Sequence, residues 1–178
     1  MTDAPTKLLI LGTGALAKSA MELVSADETL KVSAIIDTGD GSMVGEEFLG
    51  MRVQGDLSDL PRFKIQGAKA VFPACDDPGE KQKALEAAAK VKYQVIALRH
   101  PTAIIADSAR LGEGGFIGAG VIIGAEAKLG RGCSVGAGAI IEAGASIGEG
   151  CSIAAGAIIA PGAVVAAGTS VALGQIVQ

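Results

Sequence analysis

Counting in sixes from Ile105 to Val177 lands on an aliphatic residue at every step: Ile105, Leu111, Ile117, Ile123, Leu129, Val135, Ile141, Ile147, Ile153, Ile159, Val165, Val171 and Val177. Four residues after each stands a mostly small residue, among them Ala127, Cys133, Ala139, Ala145, Cys151, Ala157 and Ala163. Three residues after each there is nearly always glycine, from Gly114 and Gly120 to Gly168 and Gly174. A fixed short period sustained over this length is the mark of a stacked solenoid. The small residue and the next aliphatic one are two apart, so both point to one side of a short strand, and that side is the core. The glycine falls where the chain must turn, where positive φ or close backbone approach is needed. Short strands alternating with corners make a parallel β-helix.

The residue between the two inward ones points outward, and sorting it by every third hexad gives three series. They are Ile104, Ile122, Ile140, Ile158 and Ile176; Arg110, Lys128, Ser146 and Val164; and Phe116, Ser134, Ser152 and Ser170. The sorting has meaning only for a three-sided coil. One outer face is then an isoleucine ladder, and each Ile it could bury is worth roughly 1.5–3 kcal/mol. Monomers rarely leave so long an apolar stripe wet, so the ladder is expected to be a subunit interface in a closed ring. The alternative is a solvated face whose β-branched residues serve strand propensity.

The 178 residues have room for one large or two small domains. A net charge of −4 argues against a nucleic-acid or anionic-membrane partner. No apolar run approaches the roughly 20 residues of a membrane-crossing helix. Met1 to Pro5 lacks the charged-then-apolar layout of a signal peptide, so the expected location is the cytoplasm. Cys133 and Cys151 lie one coil apart and both inward, about 4.8 Å from each other. In a reducing cytosol they read as two small core residues rather than a disulfide. No histidine accompanies them, and no metal site is expected.

In the first half, Lys7–Leu11 is a short apolar run entering Gly12-Thr13-Gly14-Ala15-Leu16-Ala17. A helical stretch follows through Val24, then a strand over Val32–Ile36 that ends at Asp37. Strand, glycine turn, helix, strand and acid is the layout of a first Rossmann-type unit. The glycines would let a phosphate approach the backbone at a helix N-terminus, and Asp37 would bond a ribose hydroxyl. A tight strand-to-helix turn with no ligand is the competing reading. Further elements are expected at Ala68–Phe72 (strand), Pro78–Lys90 (helix) and Tyr93–Leu98 (strand). The space suits a half-size sheet holding a mononucleotide.

The hexad pattern resembles the hexapeptide-repeat acyltransferases. Val44 to Gly55, with Leu98-Arg99-His100-Pro101-Thr102-Ala103 leading into the repeats, is similar to one subfamily. That subfamily comprises sugar O- and N-acetyltransferases, including the sialic acid O-acetyltransferases and the bacillosamine-pathway UDP-amino-sugar N-acetyltransferase. The resemblance implies an α/β half-Rossmann domain over residues 1–99, followed over 100–178 by a left-handed parallel β-helix that works as a homotrimer. It implies a nucleotide-sugar held near Gly12, Thr13, Gly14, Asp37 and Asp76. It also implies acetyl-CoA as co-substrate, lying in the groove between neighbouring coils near Gly156, Ala160, Gly162 and Gly174.

The sequence departs from that pattern where the chemistry would sit. In Ile140-Ile141-Glu142-Ala143-Gly144 the family's catalytic histidine falls at Ala143 and its acidic partner at Gly144. Two further family histidines fall at Ser152 and Leu16, and Cys75 stands where glycine is usual. The chain's one histidine, His100, matches a structural position at the start of the coil. Glu142 is the remaining candidate base, against a reading as a solvated turn carboxylate. Two functions follow. One is an acetyl-CoA-dependent acetyltransferase acting on a nucleotide-linked amino sugar; the other is a catalytically inactive trimeric binding, scaffolding or regulatory relative.

Overall fold

The computed structural model describes residues 4–178; Met1–Asp3, part of the stretch read above for a leader, lie outside the described residues. The chain forms two compact units, one ending at Ile96 and the other running Ala97–Gln178.

In the second unit each hexad becomes a two-residue strand, the outward residue first and the inward aliphatic one second: Ile104–Ile105, Arg110–Leu111, Phe116–Ile117 and so on to Ile176–Val177. Each strand pairs in parallel with the one three hexads away, as Ile122 with Ile140, Lys128 with Ser146 and Ser134 with Ser152. Three separate parallel sheets result, and they sort the outward residues into the three series expected from the sequence. Leu98–Arg99 adds a further strand to the third sheet, beside Phe116–Ile117. The inward residues from Ile117 to Val171 form one continuous buried stack, with the outermost ones, Ile105 and Val177, partly covered. The isoleucine series faces outward, and in the single chain Ile104 is 67% exposed, Ile122 41% and Ile176 61%.

Two kinds of corner glycine hold the coils together. From Gly114 onward the third corner residue is left-handed, as at Gly144 (φ 71°) and Gly162 (φ 69°). Glu126 takes the same conformation with a side chain attached (φ 59°). The first corner residue sits beneath the next coil: a Cβ on Gly130 would lie 2.6 Å from the Glu149 nitrogen. At the start of the coil side-chain hydroxyls replace the backbone carbonyl that accepts from this position in later corners. There the Gly120 N–H donates to Thr102 Oγ1 (3.1 Å) and the Glu126 N–H to Ser108 Oγ (3.0 Å).

The first unit is a mixed six-stranded sheet with helices. Its elements are β1 (Thr6–Leu11), α1 (Ala15–Ser25), β2 (Leu30–Asp37), β3 (Glu47–Phe48), β4 (Met51–Asp56), α2 (Leu60–Ile65), β5 (Ala70–Pro73), α3 (Pro78–Lys90) and β6 (Gln94–Val95). The strand order is β3-β4-β2-β1-β5-β6, parallel except for the β3–β4 hairpin. Central β1 is buried from Leu8 to Leu11, the unbroken apolar run expected of a strand covered on both faces. The sequence reading missed the β3–β4 hairpin and α2. Asp56 starts the latter segment, capping the short 3-10 turn before α2, and its carboxyl is held below the ordinary range by the Ser58 hydroxyl and amide. The strand expected over Tyr93–Leu98 is divided: Gln94–Val95 pairs with β5, and Leu98–Arg99 with the coil.

Two substitutions test the corner rules. Glu126→Gly removes a left-handed side chain costing about 1 kcal/mol and should raise Tm by about 2–4 °C. Gly130→Ala forces a methyl against the next coil's backbone and should cost about 1–3 kcal/mol. Thermal and guanidinium melts of both variants measure the two signs.

Candidate functional site

The first unit's cavity of about 750 Å³ lies at the C-terminal ends of β1, β2 and β5. The chain leaves β1 outward to β2 and β4 and then returns to β5 on the other side, so the cavity falls where the strand order reverses, the usual ligand crevice of an open α/β sheet. Gly12, Thr13, Gly14, Asp37 and Asp76, the five residues expected to hold a nucleotide-sugar, all line it.

Three segments position them: the β1–α1 turn, the end of β2 and the turn after β5. Gly12 (φ 122°) passes under the end of β5, where a Cβ would meet the Ala74 carbonyl oxygen at 2.6 Å. Asp76 reaches back from the β5 turn to the start of α1, accepting the Ala15 N–H (2.7 Å) on one oxygen and the Leu16 N–H (3.1 Å) on the other. Asp37, buried at the end of β2, accepts the N–H groups of Gly39 (3.1 Å) and Met43 (3.4 Å). Asp77 caps α3 through the Glu80 N–H (2.9 Å).

The sequence reading did not single out Thr38, Asp40, Ser42, Glu80 or Lys83, which complete the lining. Thr38 donates its hydroxyl to Glu80 (3.1 Å), a pairing across 42 residues that no local motif announces. Asp40 is held below the ordinary carboxylate range by Ser42. Among the described residues five carboxylates and one lysine line the cavity, and the Lys81 charge acts on Cys75 from close by. Cys75, at the glycine position of the resembled pattern, is buried against the Leu11 carbonyl (3.4 Å) and Thr38 (3.6 Å), and burial pushes its thiol up to about 11.

In the second unit Glu142, Ala143 and Gly144 form one corner of the coil. Their backbone bonds to neighbouring coils at three points: Glu142 N–H to Ile159 (3.0 Å), Gly144 N–H to Ala125 (2.8 Å) and the Ala143 carbonyl from Gly162 N–H (3.0 Å). Glu142 is half-buried, while Ala143 and Gly144 are exposed. Asp107 and Glu126 occupy corners of the same column, so this edge is acidic. The four residues expected near acetyl-CoA divide between two edges. Ala160 and Gly162 stack on Glu142 and Gly144, whereas Gly156 and Gly174 belong to the next edge. His100 is committed elsewhere: its Nδ1 accepts the Thr102 N–H (3.2 Å) and lies 2.8 Å from the Thr102 hydroxyl that receives Gly120. Among the described residues no three His, Cys, Asp or Glu side chains gather as a metal set, and no helix is long and apolar enough to cross a membrane.

Residues 126–161 match the bacterial transferase hexapeptide model of six repeats, so the coil is built of hexapeptide repeats of that kind. The whole chain is similar to sugar N-acetyltransferases. It is 28% identical to the Caulobacter crescentus protein PerB, described in complex with CoA and GDP-perosamine, over 97% of this chain and 91% of that one (TM-score 0.65). A histidine-to-alanine mutant of GDP-perosamine N-acetyltransferase from the same organism, also with CoA and GDP-perosamine, matches at 28% identity over 93% and 90% (TM-score 0.65). The acetyltransferase domain of PglB from Neisseria gonorrhoeae, in complex with acetyl coenzyme A, shares the fold at 22% identity over 97% and 93% (TM-score 0.68). No curated protein matches the sequence itself.

The Cys75 environment sets a test. Burial holds the Cys75 thiol protonated at pH 8, and all three cysteines are buried. Native protein should therefore show no fast-reacting thiol with Ellman's reagent and three in guanidinium. Because the folded value lies above the unfolded 9.0, Cys75 favours the fold fully below pH 9, and that contribution is lost as pH rises toward 11.

Proposed function

We propose that the chain is an acetyl-CoA-dependent acetyltransferase-type protein that takes a nucleotide-linked amino sugar. The observation that carries this reading is the extent of the match to PerB, 97% of this chain, which takes in both the cavity-bearing unit and the coil. In this reading the first unit is a half-Rossmann domain whose cavity holds the nucleotide, and Asp37 bonds the ribose hydroxyls. The coil is left-handed and trimeric through the Ile104, Ile122, Ile140, Ile158 and Ile176 face, and the site of action is cytoplasmic.

Acetyl-CoA, as co-substrate, supplies an acetyl thioester. The residues present fit a long flexible ligand of that type: a Cβ on Gly156, Gly162 or Gly174 would meet nothing within 4 Å, so the corners are bare backbone. The edges that carry Ala160 with Gly162 and Gly156 with Gly174 flank the isoleucine face, so a trimer built on that face would bring them to its subunit boundaries. Transfer forms a carbon–nitrogen bond at the sugar amine and breaks the carbon–sulfur bond, and one proton must leave the amine. Glu142 is the carboxylate nearest the turn that would take it. Positioning of the amine supplies much of the rate where the base is weak.

A second reading, a non-catalytic trimeric binding protein, is favoured by one observation: Ala143 and Gly144 carry no titratable side chain, which leaves Glu142 as the one ionisable group of this corner. A relative with a histidine replaced by alanine is described with both CoA and GDP-perosamine, which supports binding in proteins of this fold that lack a histidine.

Calorimetric titration of acetyl-CoA, with light scattering in the same buffer, tests the reading. Micromolar binding at one site per chain in a trimer is expected; no heat up to millimolar ligand removes the acetyltransferase assignment. Ala143→His with Gly144→Asp should raise turnover at least tenfold if a base is what the turn lacks. An unchanged rate in a trimer that binds acetyl-CoA would favour the binding protein. Ile140→Arg with Ile158→Arg should give monomers, because a buried interface does not tolerate unpaired charges. A trimer surviving both changes would place the interface elsewhere.

A further inference from the structure

We infer that Asp76 fills the place a phosphate would take at the N-terminus of α1, so that the cavity selects the nucleoside end of its ligand and leaves the phosphates outside. The inference rests on the proposal that a nucleotide-sugar occupies this cavity. In a glycine-rich turn of this kind, the free N–H groups at the helix start and the bare glycine backbone form the phosphate cradle. Here two of these N–H groups and the space beside both glycines are already in use. The first two N–H groups of α1 are taken by Asp76, one on each carboxylate oxygen (2.7 and 3.1 Å). A Cβ on Gly14 would fall inside the same carboxylate, so the missing side chain makes room for Asp76. Gly12 is accounted for by the Ala74 carbonyl.

Charge acts in the same direction. A diphosphate entering the cradle would meet the Asp76 charge directly, with Asp37, Asp40, Asp77 and Glu80 around the same cavity against Lys83 in the lining and Lys81 near Cys75. A ribose diol and a base edge with N–H donors are better suited to these acceptors. Asp37, held by two backbone N–H groups, keeps lone pairs for them. Asp76 is therefore a specificity residue: it completes the helix start from within the protein and makes the turn indifferent to phosphate.

Equilibrium dialysis of the full chain against uridine, adenosine and guanosine, their 5′-diphosphates and inorganic pyrophosphate separates the cases. The expected result is one nucleoside binding within about threefold of its diphosphate at physiological salt, with no pyrophosphate retained. Asp76→Ala should tighten the diphosphate about tenfold relative to its nucleoside and admit pyrophosphate. Asp76→Asn, which keeps one cap acceptor without the charge, should show a smaller gain and guards against loss of folding in the alanine variant. A wild-type diphosphate more than about thirtyfold tighter than its nucleoside, or a diphosphate weakened by Asp76→Asn in folded protein, overturns the inference while leaving the nucleotide cavity in place. No binding of any nucleoside or diphosphate at millimolar concentration overturns the cavity assignment and the inference together.

Discussion

The hydrogen-bond ladder between successive coils is the constraint on which the second unit depends. Every strand is two residues long, too short to stand alone, and each donates to the strand three hexads on, as Ile122 to Ala139 (3.0 Å) and Lys128 to Ala145 (2.8 Å). That ladder fixes the rise per coil, and the rise fixes everything else. It brings the inward aliphatics into contact, so one buried stack replaces a globular core. It also leaves no space for a methyl under the next coil at Gly124 or Gly130. The repeat is strict because an error in one hexad would propagate through its neighbours.

This is why the coil was legible in the sequence and the first unit only in outline. A period of six tells inside from outside at each position, and three hexads per turn sorts the outer faces without further information. The β3–β4 hairpin gave no such signal. Its turn residues, Leu49 (φ 48°) and Gly50 (φ 76°), are both left-handed, the geometry of a tight hairpin turn, yet leucine rather than asparagine or aspartate stands first. The division of Tyr93–Leu98 was hidden for a related reason: the apolar run is continuous although its strand partners are not.

The site was legible to a similar degree. Gly12, Gly14, Asp37 and Asp76 were found from turn chemistry and resemblance, and they line one cavity. Their partnerships were not visible, because Asp76 meets Ala15 and Leu16 about sixty residues back. A glycine turn advertises that something must approach closely. It does not say whether the visitor is a ligand or a side chain of the same protein, and here Gly14 admits the latter. On the coil, the absence of a histidine at Ala143 was plain from the sequence, whereas the acidic column of Asp107, Glu126 and Glu142 emerged only once the corners were stacked.

A homogeneous repeat carries an ambiguity of its own: slipping by one whole coil preserves every inward contact. The start of this coil resolves it. Thr102 and Ser108 supply hydroxyl acceptors only to Gly120 and Glu126, and a slipped chain would leave those N–H groups facing nothing. Along another edge Glu113, Arg131 and Glu149 alternate in sign, with Arg131 Nε 2.9 Å from Glu113, so a one-coil slip would set like charges against each other. These few polar residues act as index marks on an otherwise uniform scale, and they give a repetitive chain a single phase.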